Sequence, residues 1–290
     1  MRITATATIL LIVIVLGLVA SCDIVASPPL PTPRPTRPIS TLFPTVAQAA
    51  TATPGTSAPA PDTGWQPGAP GLELRRLRLS LSPDRPAIPL DIVRLDLASV
   101  RLRVVYAPDR PRGLRSWFAE QRPLAAINGS FFGGDYRATA LLVSDGASSG
   151  ASYEGFGGML AVAQDGGVSL RPLRDEPYDP AEPLSQALQS FPMLVFPGGA
   201  AAPIEDDGAR ARRSAVALDR SGRLLLIACP TGDLTLRELA EWLSRSDLDV
   251  DRALNLDGGS STGLFLDDGS LRLAIDSLGP LPIVLLVETR

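Results

Sequence analysis

The 290-residue chain contains no histidine. That excludes every mechanism that needs an imidazole: a Ser-His-Asp triad, a His-ligated zinc, a His general base. Near neutral pH, acid–base chemistry falls to carboxylates, helped by arginine and hydroxyl groups. Cysteine is almost as scarce, with only Cys22 and Cys229. A domain must therefore be held by its core and not by a disulfide framework. A domain of about 220 residues buries enough surface for that. Cys229 lies in the apolar run 224–229 and is expected to be a buried, inert thiol. Positive charge is not in excess either: the net charge is −4, which argues against a nucleic-acid partner.

At the start of the chain, Ile9 to Ala20 form an uncharged apolar run of 12 residues. It is short of the roughly 20 residues that a membrane span needs. With Met1 and Arg2 ahead of it, it suits the hydrophobic region of a signal peptide. Val19-Ala20-Ser21-Cys22 then resembles a bacterial lipobox, which makes Cys22 the expected lipidation site. The alternative is a plain secretory peptide that ends near a cysteine. Of 28 prolines, 12 lie between Asp23 and Pro70, among many Thr, Ala and Ser. Such a composition cannot bury a core and reads as an extended stalk. The expected organisation is a lipoprotein signal peptide at 1–22, a linker at 23–71 and one globular domain at 72–290. The expected location is extracytoplasmic, lipid-anchored to a bacterial membrane.

From Leu72 onward, short apolar or alternating runs recur with turn signals between them. They cover residues 72–81, 92–97, 101–107, 124–128, 159–163, 168–173, 193–196, 214–218, 224–229, 253–256, 263–266, 271–275 and 283–287, and read as strands. Asp165-Gly166-Gly167 and the segments 219–222 and 267–269 look like hairpin turns. Thr235-Leu236-Arg237-Glu238 is a capping box. Leu236, Leu239, Ala240 and Leu243 follow on one helical face. A second short helix is expected over 114–121. Many strands with few helices indicate an α+β domain with mixed, mostly antiparallel sheets.

Three segments are candidates for chemistry. In Asn255-Leu256-Asp257-Gly258-Gly259-Ser260-Ser261-Thr262, an apolar strand ends in a carboxylate, two glycines and three hydroxyls. Glycines can turn successive N–H groups into one concavity that binds anions, and Asp257 can serve as the reacting carboxylate. The alternative is a Gly-Ser turn closed by Asp257. In Asn128-Gly129-Ser130-Phe131-Phe132, the Asn128 amide can orient sugar hydroxyls and a phenylalanine can supply an apolar platform. The alternative is a buried asparagine that ties down a loop. In Arg210-Ala211-Arg212-Arg213-Ser214, a guanidinium suits bidentate contact with phosphate, unless the segment is simply a solvated basic turn. Glu238 is explained by the capping box and not by catalysis.

Taken in order, Asn128 to Phe132, Gln189-Ser190-Phe191-Pro192-Met193-Leu194-Val195, Arg213-Ser214-Ala215-Val216, the capped helix, and Asn255 to Ser261 resemble the phosphodiester glycosidase family over roughly residues 90–290. The resemblance implies hydrolysis of a sugar-1-phosphodiester on envelope or extracellular glycans. Asp257 is then the catalytic candidate, with Asn128, Arg213, Gly258, Gly259, Ser260, Ser261 and Thr262 around the substrate. Asp135, Asp145 and Glu154 are reserve carboxylates. The chain departs from the family pattern at Ser130, at 138–142, and at Cys229-Pro230-Thr231-Gly232, where no acidic residue precedes the glycine. A phosphate monoester leaves readily without a general acid, so the lack of histidine is no obstacle. No cofactor is expected, and no ligand spacing compels a structural divalent cation. The competing reading is a non-catalytic glycan- or phosphate-binding surface lipoprotein, one that aids exopolysaccharide assembly.

Overall fold

The computed structural model describes residues 62–290. The expected signal peptide, Cys22 and most of the stalk lie outside the described residues. Every strand pairing is antiparallel, and the strands form three sheets. The first has eight strands in the order Gln66–Pro67, Leu72–Leu79, Ile88–Leu95, Leu224–Leu234, Ala211–Asp219, Val250–Asn255, Met193–Phe196 and Ala200–Ala201. The second runs Ala147–Ser149, Leu142–Ser144, Leu184–Ser190, Gly158–Ala163 and Val168–Pro172. The third runs Arg272–Ile275, Leu264–Asp267, Ala125–Asn128, Ile283–Thr289 and Val100–Tyr106. With two α-helices among the described residues, the α+β expectation resolves into a mostly β fold.

The sequence explains why the central strands are buried on both faces. Leu224-Leu225-Leu226-Ile227-Ala228-Cys229 is an unbroken apolar run, as strands covered on two sides require. Because side chains alternate, Leu224, Leu226 and Ala228 enter the main core. There they meet Val93, Leu160, Leu254 and Leu285 from all three sheets. Leu225, Ile227 and Cys229 face the other way, under the helix Leu236–Arg245, with Leu239, Ala240 and Leu243. Cys229 is free and buried, as expected, and burial raises its pKa. The helix starts at the anticipated capping box. Glu238 N–H donates to Thr235 Oγ1 (3.2 Å) and Thr235 N–H donates to Glu238 Oε2 (3.0 Å). Helix Leu114–Gln121 covers the outer face of the third sheet, burying Leu114 and Trp117 against Ala126, Val284 and Leu286.

One boundary differs from expectation. Residues 62–71, assigned by composition to the linker, belong to the folded body. Gln66–Pro67 pairs with Leu72–Leu79. Trp65 packs on the second core under the Arg94 guanidinium, 3.8 Å from its ring centroid. Asp62 accepts hydrogen bonds from Arg75. Single anchoring side chains achieve this in a stretch whose average composition still reads as linker.

Candidate active site

Three sheet-ending segments meet where strand Val250–Asn255 stops. Asp257 N–H donates to the Gly129 carbonyl (3.1 Å). The Asp257 carbonyl accepts from Asn128 Nδ2 (2.7 Å). Asn128 Oδ1 in turn accepts from Ser214 Oγ (2.7 Å) and from Gly263 N–H (3.1 Å). Its Nδ2 also reaches the Gly129 carbonyl at 3.3 Å. Asn128 is fully buried, and both ends of its amide are used inside the protein. This corrects the expectation that Asn128 contacts substrate: it is the brace that fixes the Asp257 loop against strands Ala125–Asn128 and Ala211–Asp219. An amide suits the role because it offers donors and an acceptor with no charge to bury.

The loop itself is a short turn in which Gly259–Ser261 form one 3₁₀ winding. Gly258 has to be glycine, because a β-carbon there would lie 2.9 Å from the Arg212 carbonyl. Gly259 adopts φ +59°, a left-handed conformation that glycine tolerates at no steric cost. The loop is a narrower anion nest than the sequence promised. The N–H groups of Gly258, Ser261, Thr262 and Gly263 are spent internally, on Asp257 Oδ1, the Gly258 and Gly259 carbonyls, and Asn128. Those of Gly259 and Ser260 remain for a ligand. The hydroxyls divide likewise: Ser260 is exposed, Ser261 is buried where its hydroxyl favours the ionised Asp257 carboxyl, and Thr262 is fully buried. Ser261 therefore acts on the loop from within, while the Thr262 hydroxyl is enclosed without a partner in the protein.

Asp257 is half-buried and forms no ion pair. Burial pushes its carboxyl above the usual aspartate range, and the Ser261 hydroxyl and Gly258 N–H pull partly back. A carboxylate so placed is a stronger base than one in water. Two guanidinium groups stand beside the loop. Arg213 donates from Nε to the Leu234 carbonyl (2.9 Å) and from Nη2 to the Ala209 carbonyl (2.6 Å). Its Nη1 comes to 4.0 Å from where a Gly258 β-carbon would sit. Arg212 was not singled out from sequence. Its Nη2 donates to the Asp276 carbonyl (2.9 Å), while buried Nε and Nη1 find no partner within the protein. Burial lowers the pKa of both arginines, and neither has a carboxylate in an ion pair. The missed signal was spacing. Arg212 stands two residues before Ser214 on one strand, so both project to the face that holds Asn128.

Other orphaned polar atoms gather in the same segments. Ser130 Oγ, Asn255 Oδ1 and Thr262 Oγ1 are buried and unpartnered, as is Ser190 Oγ beside the Phe191 carbonyl that receives Asn255 Nδ2 at 2.8 Å. Buried polar groups are nearly always paired, so such a concentration around one loop marks a place for a polar ligand. All 27 basic residues of the chain are arginine, so anion recognition falls to guanidinium forks and backbone N–H groups. The reserve carboxylates are placed differently. Asp135 caps an exposed turn through Arg137 N–H, and Asp145 accepts from Gln186 Nε2 in a tight turn of the second sheet. Glu154 is exposed beside Tyr153.

The phosphodiester glycosidase family model matches residues 121–285, and the chain belongs to that family. Its fold is similar to the zebrafish N-acetylglucosamine-1-phosphodiester alpha-N-acetylglucosaminidase catalytic domain auto-inhibited by its pro-peptide. The TM-score there is 0.60 at 19% identity, covering 77% of this chain and 85% of that one. A hypothetical protein from Synechocystis is similar with TM-score 0.54 at 17% identity, covering 76% of this chain and 62% of that one. No curated protein sequence matches the chain.

Proposed function

We propose that the chain hydrolyses a sugar-1-phosphodiester, cleaving the bond between the anomeric carbon and the phosphate oxygen. The observation that carries this reading is the half-buried Asp257 carboxylate, which forms no ion pair, on a loop flanked at Gly258 by Arg212 and Arg213, neither with a carboxylate ion-pair partner, and with two loop N–H groups left without an internal acceptor. The phosphate monoester leaves with the bonding electron pair. Arg212, Arg213 and the N–H groups of Gly259 and Ser260 take up the charge that develops on its oxygens. Asp257 accepts the proton of the water whose oxygen bonds to the anomeric carbon. The phosphate monoester needs little protonation to leave, so one carboxylate suffices where other glycosidases use two. Asn128, Ser214 and Ser261 act by holding the loop.

The zebrafish neighbour's name describes an N-acetylglucosamine-1-phosphodiester alpha-N-acetylglucosaminidase; by family membership the same bond type is the proposed target here. Hydrolysis in ¹⁸O-water distinguishes this from phosphoester cleavage. The proposal requires label in the released sugar and none in the phosphate. Label in the phosphate refutes it. The proposal extends to place: substrate is met outside the cytoplasm, with Cys22 lipidated. Detergent-phase partition that is equal for wild type and Cys22→Ser would refute the anchor.

A further inference from the structure

Large apolar side chains seldom stay exposed in a group unless they meet something. Among the described residues, Phe156 is 50% exposed and Phe191 is 40% exposed. They belong to one aromatic cluster. Phe191 lies 4.6 Å from Phe131, 5.8 Å from Tyr153 and 6.0 Å from Phe156, measured between ring centroids, and Tyr153 stacks on Phe156 at 4.6 Å. The cluster is wired to the candidate site from both sides. The Phe191 carbonyl holds Asn255 Nδ2 (2.8 Å), two residues before Asp257. Phe131 lies two residues after Gly129, whose carbonyl holds Asp257 N–H at 3.1 Å. Gln189 fixes the far side, accepting from Tyr153 N–H and donating to Ser152 Oγ, both at 2.8 Å.

Beyond the rings the apolar surface continues. Phe156 and Pro192 also line a cavity of about 230 Å³ with Met193, Phe196 and Ile204, and the only polar side chain lining it is Arg174. A sugar ring requires several hydrogen-bonding groups placed around its edge, and this lining offers no neutral polar side chain. An alkyl or prenyl chain requires only apolar contact.

We infer that the ester arm beyond the phosphate is apolar, and that Phe191, Phe156 and the cavity behind Pro192 bind it. The substrate class is then a sugar-1-phosphate esterified to an aliphatic alcohol. This rests on the phosphodiester reading of the Asp257 loop. The test uses the full chain and N-acetylglucosamine-1-phosphodiesters of methanol, butanol and hexanol. A buried methylene strengthens binding roughly three- to fourfold, so kcat/KM is expected to rise at least about tenfold from methyl to hexyl. Phe156→Ala and Phe191→Ala each flatten that rise. A wild-type kcat/KM independent of alkyl length, or a slope untouched in both variants, overturns the inference while leaving hydrolysis intact. If no ester is turned over, the functional reading fails, and calorimetry with hexyl and methyl phosphate decides the apolar arm by itself. Tighter hexyl phosphate binding that is lost in Phe156→Ala supports it, and equal affinities overturn it.

Discussion

Asn128→Asp replaces one NH₂ group by oxygen in a side chain that is fully buried. The shape is kept and Oδ1 can still accept from Ser214 and Gly263. The second oxygen, however, now faces the Asp257 carbonyl across the 2.7 Å once spanned by Nδ2. An ionised carboxylate there would have no cation and a repelling acceptor, so the folded state favours the protonated form. Burial of this kind raises an aspartate by about 2–4 units, each unit being about 1.4 kcal/mol. The folded-state pKa stands above the unfolded value of about 3.9, so the unfolded chain alone releases the proton as pH rises past that value. The variant's deficit relative to wild type is therefore about 1 kcal/mol at pH 4, from altered geometry. It grows to about 4–6 kcal/mol at pH 8. Urea unfolding followed by tryptophan fluorescence at pH 4, 6 and 8 measures it. A deficit that does not change with pH, or stays below about 1 kcal/mol at pH 8, would refute the brace role.

Two further outcomes follow from the site. Arg212→Met removes a guanidinium whose buried Nε and Nη1 are unpartnered, so stability should hold or rise by up to about 2 kcal/mol. Affinity for a phosphodiester should fall about tenfold or more; urea titration and KM measure the two, and a stability loss above about 2 kcal/mol with unchanged KM contradicts the assignment. Because burial raises the Asp257 pKa and the reaction uses its ionised form, kcat/KM should climb with pH through an inflection above the usual aspartate value. A profile that falls over that range would assign Asp257 the role of an acid.

Much of the frame could be read from sequence because each signal had a single physical cause. The short apolar run 224–229, bounded by turn signals, reads as a strand buried on two faces, and Thr235 with Glu238 marks the start of a helix to the residue. Strand Leu184–Ser190 was missed because buried glutamines interrupt its pattern. Gln186 is buried to accept the Val104 N–H (3.0 Å), and Gln189 holds the Tyr153 loop. Strands Leu142–Ser144 and Ala147–Ser149 are too short and too small in side chain to show a period. The Asp257 loop was found by its glycines and hydroxyls. Its division of labour was not, because which N–H groups stay free depends on partners far along the chain. Asn128 lies 129 residues from the carbonyl it holds. Arg213 was preferred over Arg212 for the same reason. The part of Arg212 shows only in the partners of its guanidinium, with Nη2 on the Asp276 carbonyl and buried Nε and Nη1 left without any.

The most direct test is turnover of N-acetylglucosamine-1-phosphodiesters by the full chain beside Asp257→Asn. The substitution keeps the side-chain volume and an oxygen for the Gly258 N–H, so circular dichroism and unfolding should match wild type closely. The expected result is release of sugar by wild type and a loss of at least about a hundredfold in kcat for the variant, with binding of the phosphodiester largely kept. Equal turnover by the two proteins, or saturable binding with no hydrolysis by either, would contradict a glycosidase centred on Asp257.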